Sequence, residues 1–305
     1  MPSLIRRFRR QLRNSSLTPE QVTRPAVPGA PQHAGDRLVP RVVAGPAGTV
    51  ARCARTVART ADVASSGRVA RLTLQAALGM QSLRADPTHV VPVRLREGST
   101  VWLRPRSHDV SALEFVFEDH HLPPADLTGP VRRIAVLGAN IGLLLADLGD
   151  RYPDARLLAV EPDPGNAAVA RRNLQRFAGR AEVVEAAAAI DDGTLTLSWG
   201  HDAWGLLQNA DDEAAPAESI TVPARDTAAL LRRFADDEPV DYVLVNIEDA
   251  WYDLLADRDW TRNVRAITIE IQDHYDEAVP LLESHGFRAR LEPLEWGAFL
   301  IGVRP

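Results

Sequence analysis

The chain has 305 residues, 45% hydrophobic and 25% charged, which is globular composition with room for one large core and an appendage. A lone cysteine, Cys53, excludes a disulfide framework and a cysteine-based zinc cluster. No window approaches the roughly 18 consecutive apolar residues of a membrane span, and Gln11 to Arg24 offers no apolar core for a secretory signal, so a cytoplasmic location is expected.

The net charge of −6 hides a division: residues 1–90 hold 14 arginines against 4 acidic residues, and residues 91–305 hold 21 against 37. Arginine supplies every basic side chain. Within the basic arm, residues 3–13 suit a short amphipathic helix with Leu4, Ile5, Phe8 and Leu12 on one face. Pro19, Pro25, Pro28, Pro31, Pro40 and Pro46 mark a linker. From Ala47 to Leu83 two helices are expected, broken near Ser65-Ser66-Gly67, with Val69, Leu72, Ala76 and Leu83 as a docking stripe. Such an arm offers a surface for association with a second copy of the chain. Phe8 is its only aromatic residue, so bases would have nothing to stack on, which argues against a nucleic-acid partner.

At about residue 90 the texture changes. Val91–Leu95 and Thr100–Leu103 predict a hairpin around Glu97-Gly98, and a helix follows from Val110 to His120. Then strands alternate with helices: strand Ile134–Leu137, helix Ile141–Leu148, strand Leu157–Val160, helix Pro164–Phe177, strand Val183–Val184. Thr194–Ser198 alternates with period two and predicts an antiparallel strand. Helix Thr227–Phe234 follows, then strands Tyr242–Val245 and Ile267–Ile271, helix Asp276–His285, and strands Arg288–Leu291 and Phe299–Val303. This order calls for an α/β fold with a doubly wound, mainly parallel sheet over residues 91–305, closed by an antiparallel edge hairpin.

The first buried strand runs into Gly138-Ala139-Asn140-Ile141-Gly142 as a helix begins. Glycines there let a ligand approach the backbone, and a helix N-terminus attracts an anionic group. Asn140 stands where a dinucleotide turn has the glycine that admits pyrophosphate, which argues against a nicotinamide cofactor. The second strand ends at Glu161, where a carboxylate meets ribose hydroxyls in open parallel sheets. A ribose-bearing ligand with a carboxylate and no pyrophosphate points to S-adenosylmethionine. Its adenine is then expected near Glu185, Ala186 and Ala187.

Val136-Leu137-Gly138-Ala139-Asn140-Ile141-Gly142, then Val160-Glu161-Pro162-Asp163-Pro164, resembles the FkbM-type S-adenosylmethionine-dependent methyltransferases. Val93 to Gly98, Arg106-Ser107-His108-Asp109, Asp241 to Ala250, and Ile269-Glu270-Ile271 are similar to further motifs of that family, over about residues 91–305. The resemblance implies a seven-stranded, Rossmann-like class I methyltransferase domain. It also implies cofactor contacts from Gly138, Ala139, Asn140, Gly142, Glu161, Pro162, Asp163 and Asp109. The implied acceptor is a small molecule, a hydroxyl of a sugar or secondary metabolite. Three positions depart from the family pattern: Leu137 and Asn246 each replace an aspartate, and Asp249 replaces a glycine. The change at Asn246 removes a candidate metal ligand or base, which leaves the divalent metal open and raises an alternative, a methyltransferase-fold protein that binds without efficient turnover.

A hydroxyl nucleophile needs a base or a metal at neutral pH. Candidates lie at the ends of the later strands: Asn246, Glu248, Glu270 and His274. His201, Asp202 and Trp204 form a candidate substrate lid, while His120 and His121 are assigned to structure, and Trp251, Tyr252 and Trp260 to packing, with the lining of an acceptor pocket as the alternative.

Overall fold

The computed structural model describes residues 46–82, 85–118, 121–199, 206–208, 219–248, 250–256, 260–294 and 297–305. The expected helix at 3–13, the linker up to residue 45, His120, Asp249, His201, Asp202 and Trp204 lie outside them.

Helices α1 (Pro46–Ala58) and α2 (Val63–Ala77) break at residues 59–62, and Ser65 to Gly67 lie inside α2, contrary to the expected break. Asp62 caps α2 by accepting from the Ser65 amide at 2.7 Å. The serines spend their hydroxyls on other contacts: Ser65 Oγ accepts from the Arg94 amide at 2.9 Å, and Ser66 Oγ lies 2.7 Å from Thr60 Oγ1. Strands β1 (Val91–Arg94) and β2 (Thr100–Leu103) pair as the expected hairpin. Helix α3 (Asp109–Val116) stops short of the predicted His120. His121 lies beyond it, buried, with Nε2 2.8 Å from Asp147 and its carbonyl accepting from the Tyr242 hydroxyl. Val69 and Leu72 of α2 pack with Val93, Leu103, Leu113, Ile141, Leu143 and Val169, so the two helices share a core with the lead-in hairpin.

The alternating region follows as β3 (Arg133–Leu137), α4 (Leu143–Arg151), β4 (Arg156–Glu161), α5 (Pro164–Leu174) and β5 (Ala181–Glu185). Next come β6 (Ala187–Ala189), β7 (Gly193–Trp199), β8 (Leu206–Gln208), β9 (Ser219–Asp226) and α6 (Thr227–Ala235). The chain then builds β10 (Val240–Val245), α7 (Ala250–Leu255), β11 (Val264–Ile271), α8 (Tyr275–Ser284), β12 (Arg288–Pro293) and β13 (Ala298–Val303). A seven-stranded sheet runs in the order β12-β13-β11-β10-β3-β4-β5. Strands β5, β4, β3, β10 and β11 are mutually parallel, while β13 is antiparallel to both β11 and β12. This order, with the reversed β13, is the doubly wound, mainly parallel seven-stranded sheet with the expected antiparallel edge hairpin. Because helices cover both faces, Ile134–Leu137 of β3 and Tyr242–Val245 of β10 are buried residue after residue. A second sheet, β6-β9-β7-β8, contains the antiparallel strand expected at Thr194–Ser198.

No helix among the described residues is long and apolar enough to cross a membrane. A chain truncated to begin at Pro46 is expected to keep a single cooperative melt, since the proline-rich linker ends where α1 starts. An insoluble product, or loss of the cooperative transition, would move the boundary.

Candidate functional site

The chain builds β3, β4 and β5 outward, then crosses back to place β10 on the other side of β3. The strand order reverses there, and ligands of open α/β sheets bind outside the carboxyl ends of the strands at this switch point. Gly138 (φ 79°), Asn140 (φ 50°) and Gly142 (φ 77°) turn the chain at that end. Gly138 is demanded by the protein's own backbone: an added Cβ would lie 1.8 Å from the Asn246 carbonyl oxygen. Gly142 lets α4 approach α5, its Cβ position being 3.1 Å from that of Ala170.

The turn spends its own N–H groups. Gly138 and Ala139 donate to the Val160 carbonyl at 2.9 and 3.0 Å, and Ile141 donates to the Asn140 side chain at 2.8 Å. The Asn140 amide donates to Glu161 Oε2 at 2.7 Å. Glu161 Oε1 accepts from the Asp163 amide at 3.0 Å and from Asn166 Nδ2 at 3.4 Å. A carboxylate has about four acceptor positions; three donors occupy Glu161, which leaves room at Oε2. Burial pushes its carboxyl up to about 7; the amides of Asp163 and Asn140 pull against this, the charge of Asp163 adds to it, and Asn166 opposes it.

The other expected cofactor residues sit around this centre. Pro162 continues the loop after β4, and Asp163 caps α5, its carboxylate accepting from the Asn166 amide at 2.8 Å. The Ala186 amide donates to the Glu161 carbonyl, and Ala186 and Ala187 are both buried beside that strand end. Asp109 is buried and turned to Arg104, accepting from its Nε at 3.0 Å, its Nη2 at 2.7 Å and its backbone amide at 2.8 Å. Arg104 Nη2 also donates to Asn166 Oδ1 at 2.8 Å. Sequence reasoning missed Arg104 and Asn166. The only signal was their nearness in the chain to Asp109 and Glu161.

Across the crevice, the candidate catalytic residues gather at the ends of β10 and β11. The Asn246 amide donates to the Leu137 carbonyl at 2.8 Å, tying the two strand ends together. Glu248 sits in a left-handed turn (φ 50°) and accepts from Gln272 Nε2 at 3.2 Å. Glu270 is pushed up to about 8, by burial first and by the charge of Glu248 second. His274 lies further out, half-exposed, with Nδ1 2.9 Å from Glu277 and its ring stacked on Tyr252 at 4.1 Å between centroids. Trp251 and Trp260 are buried, as their packing assignment expects. Among the described residues no three His, Cys, Asp or Glu side chains are grouped to hold a metal ion. Glu248 and Glu270 alone make a poor metal donor set, whereas the open position on Glu161 fits a ribose hydroxyl.

No family model matches the chain. It is 27% identical over 217 residues to the methyltransferase sdnD of Sordaria araneosa, a span of 59% of this chain and 83% of that protein. A ribosomal protein L11 methylase from Lactobacillus delbrueckii subsp. bulgaricus matches in structure with a TM-score of 0.38 and 12% identity, covering 64% of this chain and 79% of that one. An O-methyltransferase family protein from Burkholderia thailandensis matches at TM-score 0.38 and 14% identity, over 65% of this chain and 60% of that one.

Proposed function

We propose that the chain is an S-adenosylmethionine-dependent methyltransferase acting on oxygen, with a hydroxyl of a sugar or secondary metabolite as acceptor. The supporting observation is the juxtaposition at one switch point of a buried carboxylate with an open acceptor position, Glu161, and a carboxylate pair across the crevice, Glu248 and Glu270. Similarity to a protein named as a methyltransferase supports the same reading. When bound, the cofactor supplies an activated methyl group and its own leaving group. Glu161 accepts a ribose hydroxyl at Oε2, and the turn from Gly138 to Gly142 supplies a preformed wall, since its amides need no rearrangement. The acceptor's proton passes to Glu248, whose Gln272 donor suits the ionised form. Glu270, neutral near pH 7, donates or holds a proton beside it and spares the crevice a second negative charge. No step is routed through a metal, since among the described residues no three His, Cys, Asp or Glu donors are grouped.

Glu248→Gln is expected to lower the methylation rate by about 10²–10⁴, the range for a positioned general base. Glu270→Gln, which keeps the neutral form, and His274→Ala are expected to cost less than tenfold. If all three variants leave the rate unchanged, the catalytic groups lie elsewhere.

The second reading, binding without efficient turnover, rests on Asn246. Its amide cannot take up a proton near neutral pH and is a poor partner for hard cations. Calorimetric titration with S-adenosylhomocysteine, followed by turnover assays of wild type and Asn246→Asp on glycosylated acceptors with and without magnesium, separates the two. Binding with turnover only in Asn246→Asp would establish the second reading and remove the first.

A further inference from the structure

The buried side chains behind Glu161 form a directed chain of hydrogen bonds. Asp109 accepts from Nε and Nη2 of Arg104, which fixes the plane of the guanidinium. Nη2 also donates to Asn166 Oδ1. A guanidinium has donors and no acceptor, so the Asn166 atom facing it must be the oxygen. The amide's orientation is thereby settled, and Nδ2 is left pointing at Glu161 Oε1. Arg104, Asp109 and Asn166 are each buried, although Asn166 stands 62 residues from Arg104. A buried ion pair is weak grounds for stability, since desolvation offsets its attraction, which leaves its placement beside a binding carboxylate to be explained.

We propose that Arg104 and Asn166 are positioning residues for Glu161: the Asp109-anchored guanidinium orients the Asn166 amide so that it donates to the carboxylate that receives the ribose. The lead-in segment after β2 is thereby part of the cofactor site. The role assigned to Glu161 rests on the methyltransferase reading; the orienting chain itself does not.

The charged groups around Glu161 are few. Asp163 precedes α5 and opposes its ionisation, while Glu185, beside it on β5, is paired with Arg171 at 2.9 Å. Arg104 and Asp109 face it from the segment after β2 through Asn166, and the β3–α4 turn brings only the Asn140 amide. Glu161 lies near neutrality, so the loss of one donor to its ionised form moves its titration within an accessible range.

The test compares wild type with Asn166→Asp, Asn166→Ala and Arg104→Lys. Asn166→Asp preserves shape and the bond to Arg104 but presents an acceptor to Glu161 in place of a donor and adds a negative charge, so Asn166→Ala and Arg104→Lys, which add none, decide whether the donor itself sets the midpoint. Arg104→Lys retains the charge without the fork. Side-chain carboxyl NMR follows the Glu161 titration without ligand, and calorimetry follows S-adenosylhomocysteine binding between pH 5.5 and 8.5. The titration midpoint of Glu161 should rise in every variant, by about one pH unit in Asn166→Asp and by less in Asn166→Ala and Arg104→Lys. Affinity at pH 7 should fall at least threefold in Asn166→Asp and recover as the pH is raised. A purely structural role would lower affinity equally at every pH and leave the midpoint in place; that result, in variants with native melting curves, overturns the proposal. If the variants do not fold, comparing the wild-type Glu161 midpoint with that of Arg104→Lys/Asp109→Glu, which keeps both charges, decides it: an unchanged midpoint overturns the chain. A shifted midpoint in a protein that binds no S-adenosylhomocysteine would support the orienting chain while removing the methyltransferase reading.

Discussion

Replacing Gly138 by alanine is expected to remove about 2–5 kcal/mol of folding stability, a large part of a total of roughly 5–15 kcal/mol. Two costs add. A side chain at φ 79° is strained by about 1–2 kcal/mol. The new Cβ would sit 1.8 Å from the Asn246 carbonyl oxygen and 2.7 Å from its carbon, so the β10 end must move away from β3, at the roughly 1–3 kcal/mol of an overpacked interior. Gly98→Ala is the internal control. Gly98 has φ 99° and nothing within 4 Å of the added Cβ, so it carries the conformational cost alone. Denaturant melts of both variants check the claim. Equal losses would mean that the two strand ends separate freely, and the tight crevice would then play no structural part.

Glu161→Ala is expected to weaken S-adenosylhomocysteine binding by about 1.5–3 kcal/mol, or roughly 10- to 150-fold, the worth of a hydrogen bond to a charged group. The pH dependence gives a second signature. Burial holds the Glu161 carboxyl near 7, so the ionised form, which accepts most strongly from a hydroxyl, grows as the pH rises from 6 to 8. Wild-type affinity should climb across that window and flatten above it. Glu161→Gln cannot ionise and should show a flat profile at the reduced affinity. An unchanged affinity in a folded Glu161→Ala protein would show that the ribose is held elsewhere.

The parts of the fold legible in the sequence were those where chain-local chemistry decides. Buried parallel strands are mostly apolar, so β3, β4, β10 and β11 stood out as short apolar runs, β3 ending at Gly138 and β4 at Glu161-Pro162. Strand β9 did not, because Pro223 interrupts it. The structure accommodates that proline where the ladder to β6 has not begun; the pairing starts at Ala224, so no N–H is missed on that side. The break between α1 and α2 was misplaced because Ser65 and Ser66, poor residues for a helix interior, are held there by other contacts: Ser65 accepts from the Arg94 amide, 29 residues away, and Ser66 bonds Thr60 just before the helix. The same holds at the site. Glu161 and the glycine turn are local signals, whereas the approach of Asn166 to Arg104 exists only after folding. Even Gly138 was legible for a different reason from the one the structure gives: its bare Cα accommodates a neighbouring strand of the protein itself.

The position of β13 has a consequence for how the chain is made. It lies between β11 and β12 and is antiparallel to both, yet it follows both in sequence. During synthesis β11 has no partner on its outer side, and β12 has none at all in the main sheet, until Ala298–Val303 has left the ribosome. For that interval the mostly apolar strand Val264–Ile271 presents an open edge to other nascent chains. Insertion of β13 converts that edge into an interior ladder, so sheet closure is deferred until Ala298–Val303 arrives, and the window for misassociation lengthens with any pause in translation before it.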